Sequence, residues 1–299
     1  MLDASFDIVE QYVRFPKIER TEVQKIVEWI RAQPHMPNLS EGEVLIFYIA
    51  CKCSSEMAKQ VIDTNLTCHT HVDEFFNNLD PEYPAMERAM RVDAMFLLPK
   101  LTPEGHRVAV GKLIDLNAAN FNFADSIKLF LLLLDVFVRE DDVRSGYRIV
   151  FDTSGVTLGH VARLGIMTMK KLIFYLQEAL PVRLIGLHFI NIVPFMDKIL
   201  ALMYPFMKKE LVDMLHVHSN MDEFYKFVPK NILPGEIDGE ELESAQLREI
   251  YYDKVRSRRK EILEYEKLFR INEQLRPGKP KNSSDLFGIA GNFKKLDID

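Results

Sequence analysis

Apolar positions recur at helical spacing in the first quarter of the chain. From Thr21, a candidate N-cap, Val23, Ile26, Val27 and Ile30 share one face, and Pro34 and Pro37 close the segment. Ser40 followed by Glu43 forms a capping-box signature ahead of Val44, Phe47, Tyr48 and Cys51. A third helix is predicted from Ser54 or Ser55 to about Asn65, and the turn Asp80-Pro81-Glu82-Tyr83-Pro84 ends the helical part. The pattern then changes. A strand is predicted over Arg107–Leu113, a helix over Ala124–Arg139, a strand over Tyr147–Asp152, and a turn at Gly155. A helix from Leu158 to Leu180 stops at Pro181 and leads to a strand over Leu184–Ile190. A short apolar helix over Phe195–Tyr204 and a further helix or strand pair near Pro205–His218 complete the alternation. Strands separated by helices of this length predict an α/β fold with a mostly parallel sheet. A charged helix over Ser244–Leu275 and a Gly/Pro/Lys/Ser-rich linker, Arg276–Ser284, follow. Three parts are expected: a helical region in residues 1–85, an α/β domain in 86–242, and a charged helix with a tail in 243–299.

Composition narrows the function. Hydrophobic residues make up 47% of 299 positions, enough for a large core, and the net charge of -6 opposes the phosphate-driven affinity that nucleic-acid binding needs. The start Met1-Leu2-Asp3-Ala4-Ser5 lacks a basic, apolar leader, so the chain is expected to stay inside the cell. The most apolar run, Leu129–Val138, is about half a spanning length and contains Asp135. Cys51, Cys53 and Cys68 are an odd, sparse set read as reduced thiols, and the three sequons at Asn38, Asn65 and Asn282 are read as chance.

Catalytic signatures are thin. Asp152-Thr153-Ser154-Gly155 has one glycine and no Lys-Ser or Lys-Thr pair, so it reads as a tight turn rather than a phosphate loop or nucleophile elbow. Cys68-His69-Thr70-His71 lacks the paired knuckles of a zinc site, and His216 with His218, which an i, i+2 spacing puts on one side of a strand, read as structural histidines. The basic run Arg256-Ser257-Arg258-Arg259-Lys260 is followed by Glu261, Glu264 and Glu266, and reads as a solvated helix face. No metal, no cofactor and no enzymatic activity are expected. What stands out is apolar bulk, 20 Phe and 13 Met, with Phe130-Leu131-Leu132-Leu133-Leu134 apolar all round. Either a filled core or a cavity accounts for it.

The stretches Arg148–Gly155, Gln177–Arg183 and Gly186–Asn191 with Pro194, then Pro205-Phe206, His216-Val217-His218 and Leu233-Pro234-Gly235-Glu236, resemble the core of a CRAL-TRIO domain. The helical segment before residue 80 resembles the domain that precedes it in that family, and Leu286–Leu296 resembles the ending of many insect members. The resemblance implies a sheet that floors an apolar pocket for a retinoid, tocopherol-like or other lipid ligand, closed by a gate helix matching Phe195–Met203. It implies a pocket lining of Leu129, Leu133, Phe151, Leu164, Tyr175, Leu176, Leu187, Met196 and Leu200, with Tyr147, Tyr175 and Ser126 as groups that could orient a ligand head. It also implies a cytoplasmic carrier that touches membranes transiently. Two departures stand out. Of the basic positions that tocopherol and retinal carriers offer to phosphoinositides, Arg183 keeps one, while Ile185, Glu210 and Met214 occupy the others; Lys208 and Lys209 stand nearby as substitute headgroup or membrane contacts. The Leu-Arg-Phe-Leu-Arg pattern of the helical domain reads Leu45-Ile46-Phe47-Tyr48-Ile49, without either arginine. The rival reading is a scaffold or regulatory adaptor with a collapsed pocket, binding a protein through its charged C-terminal helix.

Overall fold

The computed structural model describes residues 4–141 and 143–288; residues 289–296 of the terminal resemblance lie outside them. Six helices come first: α1 (Ile8–Arg14), α2 (Arg20–Arg31), α3 (Glu41–Ala50), α4 (Ser55–His71), α5 (Asp73–Phe76) and α6 (Pro84–Val92). The Ser40–Glu43 capping box is present, each side chain meeting the other's backbone N–H at 3.2 Å. Helix α2 begins one residue before Thr21, after a Glu19 that makes no side-chain cap, and α4 runs six residues past Asn65.

Strands β1 (Asp93–Leu97), β2 (Arg107–Leu113), β3 (Tyr147–Asp152), β4 (Leu184–Ile190) and β5 (Leu215–Val217) lie in that order across one sheet. The β1–β2 pair is antiparallel and the other three are parallel. The crossovers are α7 (Phe123–Glu140), then α8 (Leu158–Val161) with α9 (Ile166–Glu178), then α10 (Met196–Met203) with the short α11 (Lys209–Val212). Beyond β5 come α12 (Met221–Tyr225), α13 (Ser244–Ser257), α14 (Arg259–Leu268) and α15 (Ser283–Phe287). Two expected long helices are therefore broken. The Leu158–Leu180 helix is interrupted where Gly165 takes extended backbone ahead of α9, and the charged helix bends at Arg258 and ends at Leu268. The segment near Pro205–His218 resolves into a 3₁₀ turn, α11 and β5.

Alternate residues of the strands enter two separate cores. Met95, Leu97, Ala109, Ile149, Leu187 and Phe189 join the larger one, built with α7, α9, α10 and the helical region. Ala94, Phe96, Val108, Val110, Val150 and Ile190 join Phe224, Val228, Ile232, Leu233 and Leu247 on the opposite face. Both faces of the central strands are dry, which is why they read as continuous apolar runs.

Helix α7 explains the apolar excess. It is buried from Ser126 to Arg139 because the sheet, α5 and α6, α9 and α13 surround it. Its one fully buried cation, Arg139, bonds Asp135 Oδ1 at 3.0 Å and Tyr265 Oη at 3.2 Å and lies 3.5 Å from Glu43. The helical region, the α/β domain and α14 are thus tied through one buried ionic cluster, and removing Arg139 would leave two carboxylates uncompensated. The basic run of the C-terminal segment is used similarly: Arg258 reaches Glu140 at 2.6 Å and Arg259 reaches Asp80 at 2.6 Å.

Candidate ligand-binding site

Between the sheet and helices α7 to α10 lies a cavity of about 180 Å3. Its floor comes from Met95, Gly111, Ile149, Phe151 and Phe189, consecutive strands contributing side chains to the same face. The register aligns Gly111 with Phe151 and Phe151 with Phe189, and the two rings stack at 5.5 Å. Gly111 matters here: a Cβ at this position would meet only the Phe151 ring, at 3.4 Å, so the missing side chain is open space above the floor. Ile127 and Phe130 of α7 form one wall, Leu164 with Met169, Leu172 and Leu176 of α9 another, and Ile199 with Met203 of α10 the cover.

Three residues of the implied lining meet in this cavity: Phe151, Leu164 and Leu176. The structure places the other six elsewhere. Leu129 is buried within α7, and Leu133 borders a void of about 10 Å3 between α7 and strands β1 and β2. Tyr175 is locked into the junction with the helical region, its hydroxyl accepting from Asn65 Nδ2 at 3.0 Å and its ring 5.3 Å from Phe76. Leu187 shares the cavity side of β4 with Phe189 but packs in the adjoining core. Met196 and Leu200 lie on α10 outside the cavity lining: Met196 is buried in the core on the same helix face as Ile199 and Met203, which do reach the cavity, and Leu200 is half-buried beside them. Of the head-orienting groups, Ser126 lines the cavity and Tyr147 is buried outside it.

The polar groups of the wall are few. Ser126 Oγ donates to Asp93 Oδ2 at 2.6 Å, and burial pushes the Asp93 carboxyl up to about 7. Lys112 and Asp152 pair at 3.4 Å at one edge. His160 lies in the wall with Phe121 edge-on to its ring at 5.4 Å, and burial lowers its pKa below the usual histidine value. Turn residue Gly155 has φ +78, the left-handed region that favours glycine.

The implied headgroup residues do not converge on the cavity. Arg183 is exposed before β4. Lys208 pairs with Glu178, and Lys209 with Asp213 at 2.8 Å, both lysines on the surface just after the cover. The Cys68–His71 segment is also dispersed: Cys68 is buried with its thiol pushed up by desolvation, His69 stacks on Phe76 at 3.8 Å, and His71 meets Glu273 at 3.2 Å. All three cysteines are free thiols.

On the reverse face of β4 a feature appears that motif counting did not reveal. His188 Nδ1 lies 2.9 Å from His218 Nε2, and its ring stacks at 4.8 Å on His216, the neighbour that the β4–β5 register places beside it. Arg148 Nη1 approaches His188 Nε2 at 3.2 Å. Gly186 makes this fit, since a Cβ there would overlap His188 and Arg148.

A helical region followed by a mostly parallel sheet with an apolar cavity under a short helix defines the α/β fold class to which this chain belongs. Residues 92–239 match the CRAL/TRIO domain and residues 16–86 the Pinta-like, UBA domain, and the chain is a member of the CRAL/TRIO family. It is 26% identical over 236 residues to human "Alpha-tocopherol transfer protein-like", covering 77% of this chain and 68% of that protein. Mouse clavesin-1 is 21% identical over 228 residues, covering 75% and 64% respectively. The crystal structure of Sfh5 superposes with a TM-score of 0.43 at 15% identity, over 75% of this chain and 85% of that one. Among the described residues no helix is long and apolar enough to cross a membrane.

Proposed function

We propose that this protein binds a hydrophobic small molecule in the cavity under α10 and transfers it between membranes. The observation that carries the reading is the cavity itself: a void walled by Met, Leu, Ile and Phe side chains from the sheet and from α7, α9 and α10, in a domain whose relatives include a tocopherol transfer protein-like chain. Its stabilisation of a ligand would come from burial, about 25 cal/mol per Å2 of apolar area. The cavity has the size that accepts a single aromatic ring, on the order of 150 Å3 for a benzene site. A retinoid, tocopherol or phospholipid chain therefore requires α10 to swing outward. An α10 that is apolar on the cavity side and exposes Asp197, Lys198 and Ala201 on the other covers the ligand in water, and by swinging outward it would offer its apolar side to a membrane surface. In that open state Lys208 and Lys209, just past the helix, and Arg183 are the cations available to an anionic surface. The function needs no bond chemistry and no cofactor beyond the ligand, and it would operate in the cytoplasm.

The small closed volume also favours a second reading, an adaptor whose pocket stays shut. Incubating detergent-free protein with a cell lipid extract, re-purifying it and analysing the organic extract by mass spectrometry separates the two. Carriage predicts one apolar species enriched at near one per chain. Retention of nothing across lipid, retinoid and tocopherol mixtures would move the adaptor to first place.

A further inference from the structure

Nearly every polar group of the cavity wall is engaged by its neighbours. Asp93 and Ser126 hold each other, Lys112 lies between Asp152 and Glu236, and Asp152 Oδ1 accepts from Ser154 N at 2.9 Å and Asn191 Nδ2 at 3.0 Å. The Thr153 hydroxyl donates to the Asn191 carbonyl at 2.8 Å. Among the described residues of this wall the exception is His160 Nε2, buried without a hydrogen-bond partner on a residue 2% exposed.

The state of that nitrogen follows from the other one. His160 Nδ1 lies 3.0 Å from the backbone nitrogen of Thr157, which can only donate, so Nδ1 must accept. The neutral ring then carries its proton on Nε2. A cationic ring would set two N–H groups against each other. The result is a fixed donor in a wall whose other polar groups are already engaged, and a buried donor left unpaired is costly. A lone water is a poor remedy, because it needs two to four polar partners and the neighbouring wall groups are taken.

We infer that the ligand of this cavity carries an oxygen acceptor, such as a carbonyl, hydroxyl or ester oxygen, that receives the His160 Nε2 hydrogen, so the site selects oxygenated apolar molecules over hydrocarbons of the same shape. This rests on the reading of the cavity as a ligand site. His160 is a specificity residue here, and the capping hydrogen bond to Thr157 is what aims it.

Acetophenone and isopropylbenzene differ by a carbonyl oxygen in place of a methyl group, and their single ring suits the closed cavity. Titrating both into the full chain, read by isothermal titration calorimetry, should show the ketone binding about tenfold more tightly. His160→Phe should bring the two affinities together. His160→Gln should keep the preference, because a glutamine at this capping position accepts from Thr157 through its oxygen and still offers an N–H. Equal affinity of the wild-type protein for both probes would overturn the inference and leave carriage standing. Binding of neither would overturn carriage and this inference together. A ketone preference that survives in folded His160→Phe would take the role away from His160. The wild-type comparison needs no variant, so a His160→Phe chain that misfolds leaves the test intact.

Discussion

The two faces of the sheet are made by the same strands and end differently. On one face Met95, Gly111, Ile149, Phe151 and Phe189 leave a cavity beneath α10. On the other, Ala94, Val108, Val110, Val150 and Ile190 pack directly on Phe224, Val228 and Leu233, all three fully buried. Strand composition alone does not decide which face keeps a void. The cavity face has a glycine where a side chain would have filled the space and a cover only two turns long; the closed face is sealed by aromatic rings, Phe224 and Phe227, set against stacked imidazoles.

The contrast breaks most visibly by truncation. Phe224→Ala removes a ring in full contact and should cost about 3–5 kcal/mol in chemical denaturation. Acid should act on the same face. Desolvation first, then His216, Arg148 and His218, hold His188 at about 3 instead of 6.5. As pH falls through 6.5 the unfolded chain takes up a proton that the folded chain refuses until about 3. Stability that is complete above pH 6.5 should therefore fall by about 5 kcal/mol on the way to pH 3, and His188→Leu should flatten that slope in denaturation series across pH. The smallest loss belongs to the cavity face. Ile199→Ala should cost about 1–2 kcal/mol by the same denaturation assay, less than a contact-filled position, because its side chain already borders empty space. Equal costs for Phe224→Ala and Ile199→Ala would erase the difference between the faces.

Much of this organisation was legible before any coordinates. Strands Arg107–Leu113, Tyr147–Asp152 and Leu184–Ile190 have the observed bounds because glycine, proline and acidic turns punctuate them. Strand β1 was not, since Asp93–Leu97 is buried on both sides, shows no alternation and follows α6 without a break. The gap between α8 and α9 was hidden because apolar spacing continues across it. In the site, the resemblance names Phe151, Leu164 and Leu176, which border the cavity; on α10 it names Met196, buried on the face of Ile199 and Met203, and Leu200, which lies off that face. A helix apolar on most sides gives no phase to its pattern. His160, a lone histidine between Gly159 and Val161, carries no motif, and its unpaired nitrogen exists only in three dimensions.

Gly111 offers the most direct test. Gly111→Val puts a β-branched residue into a strand and fills the floor above Phe151, so it should raise the thermal midpoint by the equivalent of about 1 kcal/mol while abolishing ligand capture. The decisive measurement is the number of apolar molecules retained per chain by wild type and Gly111→Val after identical exposure to the lipid extract. One per wild-type chain and none for the folded variant is the result expected of a cavity that holds the ligand. Equal retention by both would place the ligand elsewhere and contradict the account.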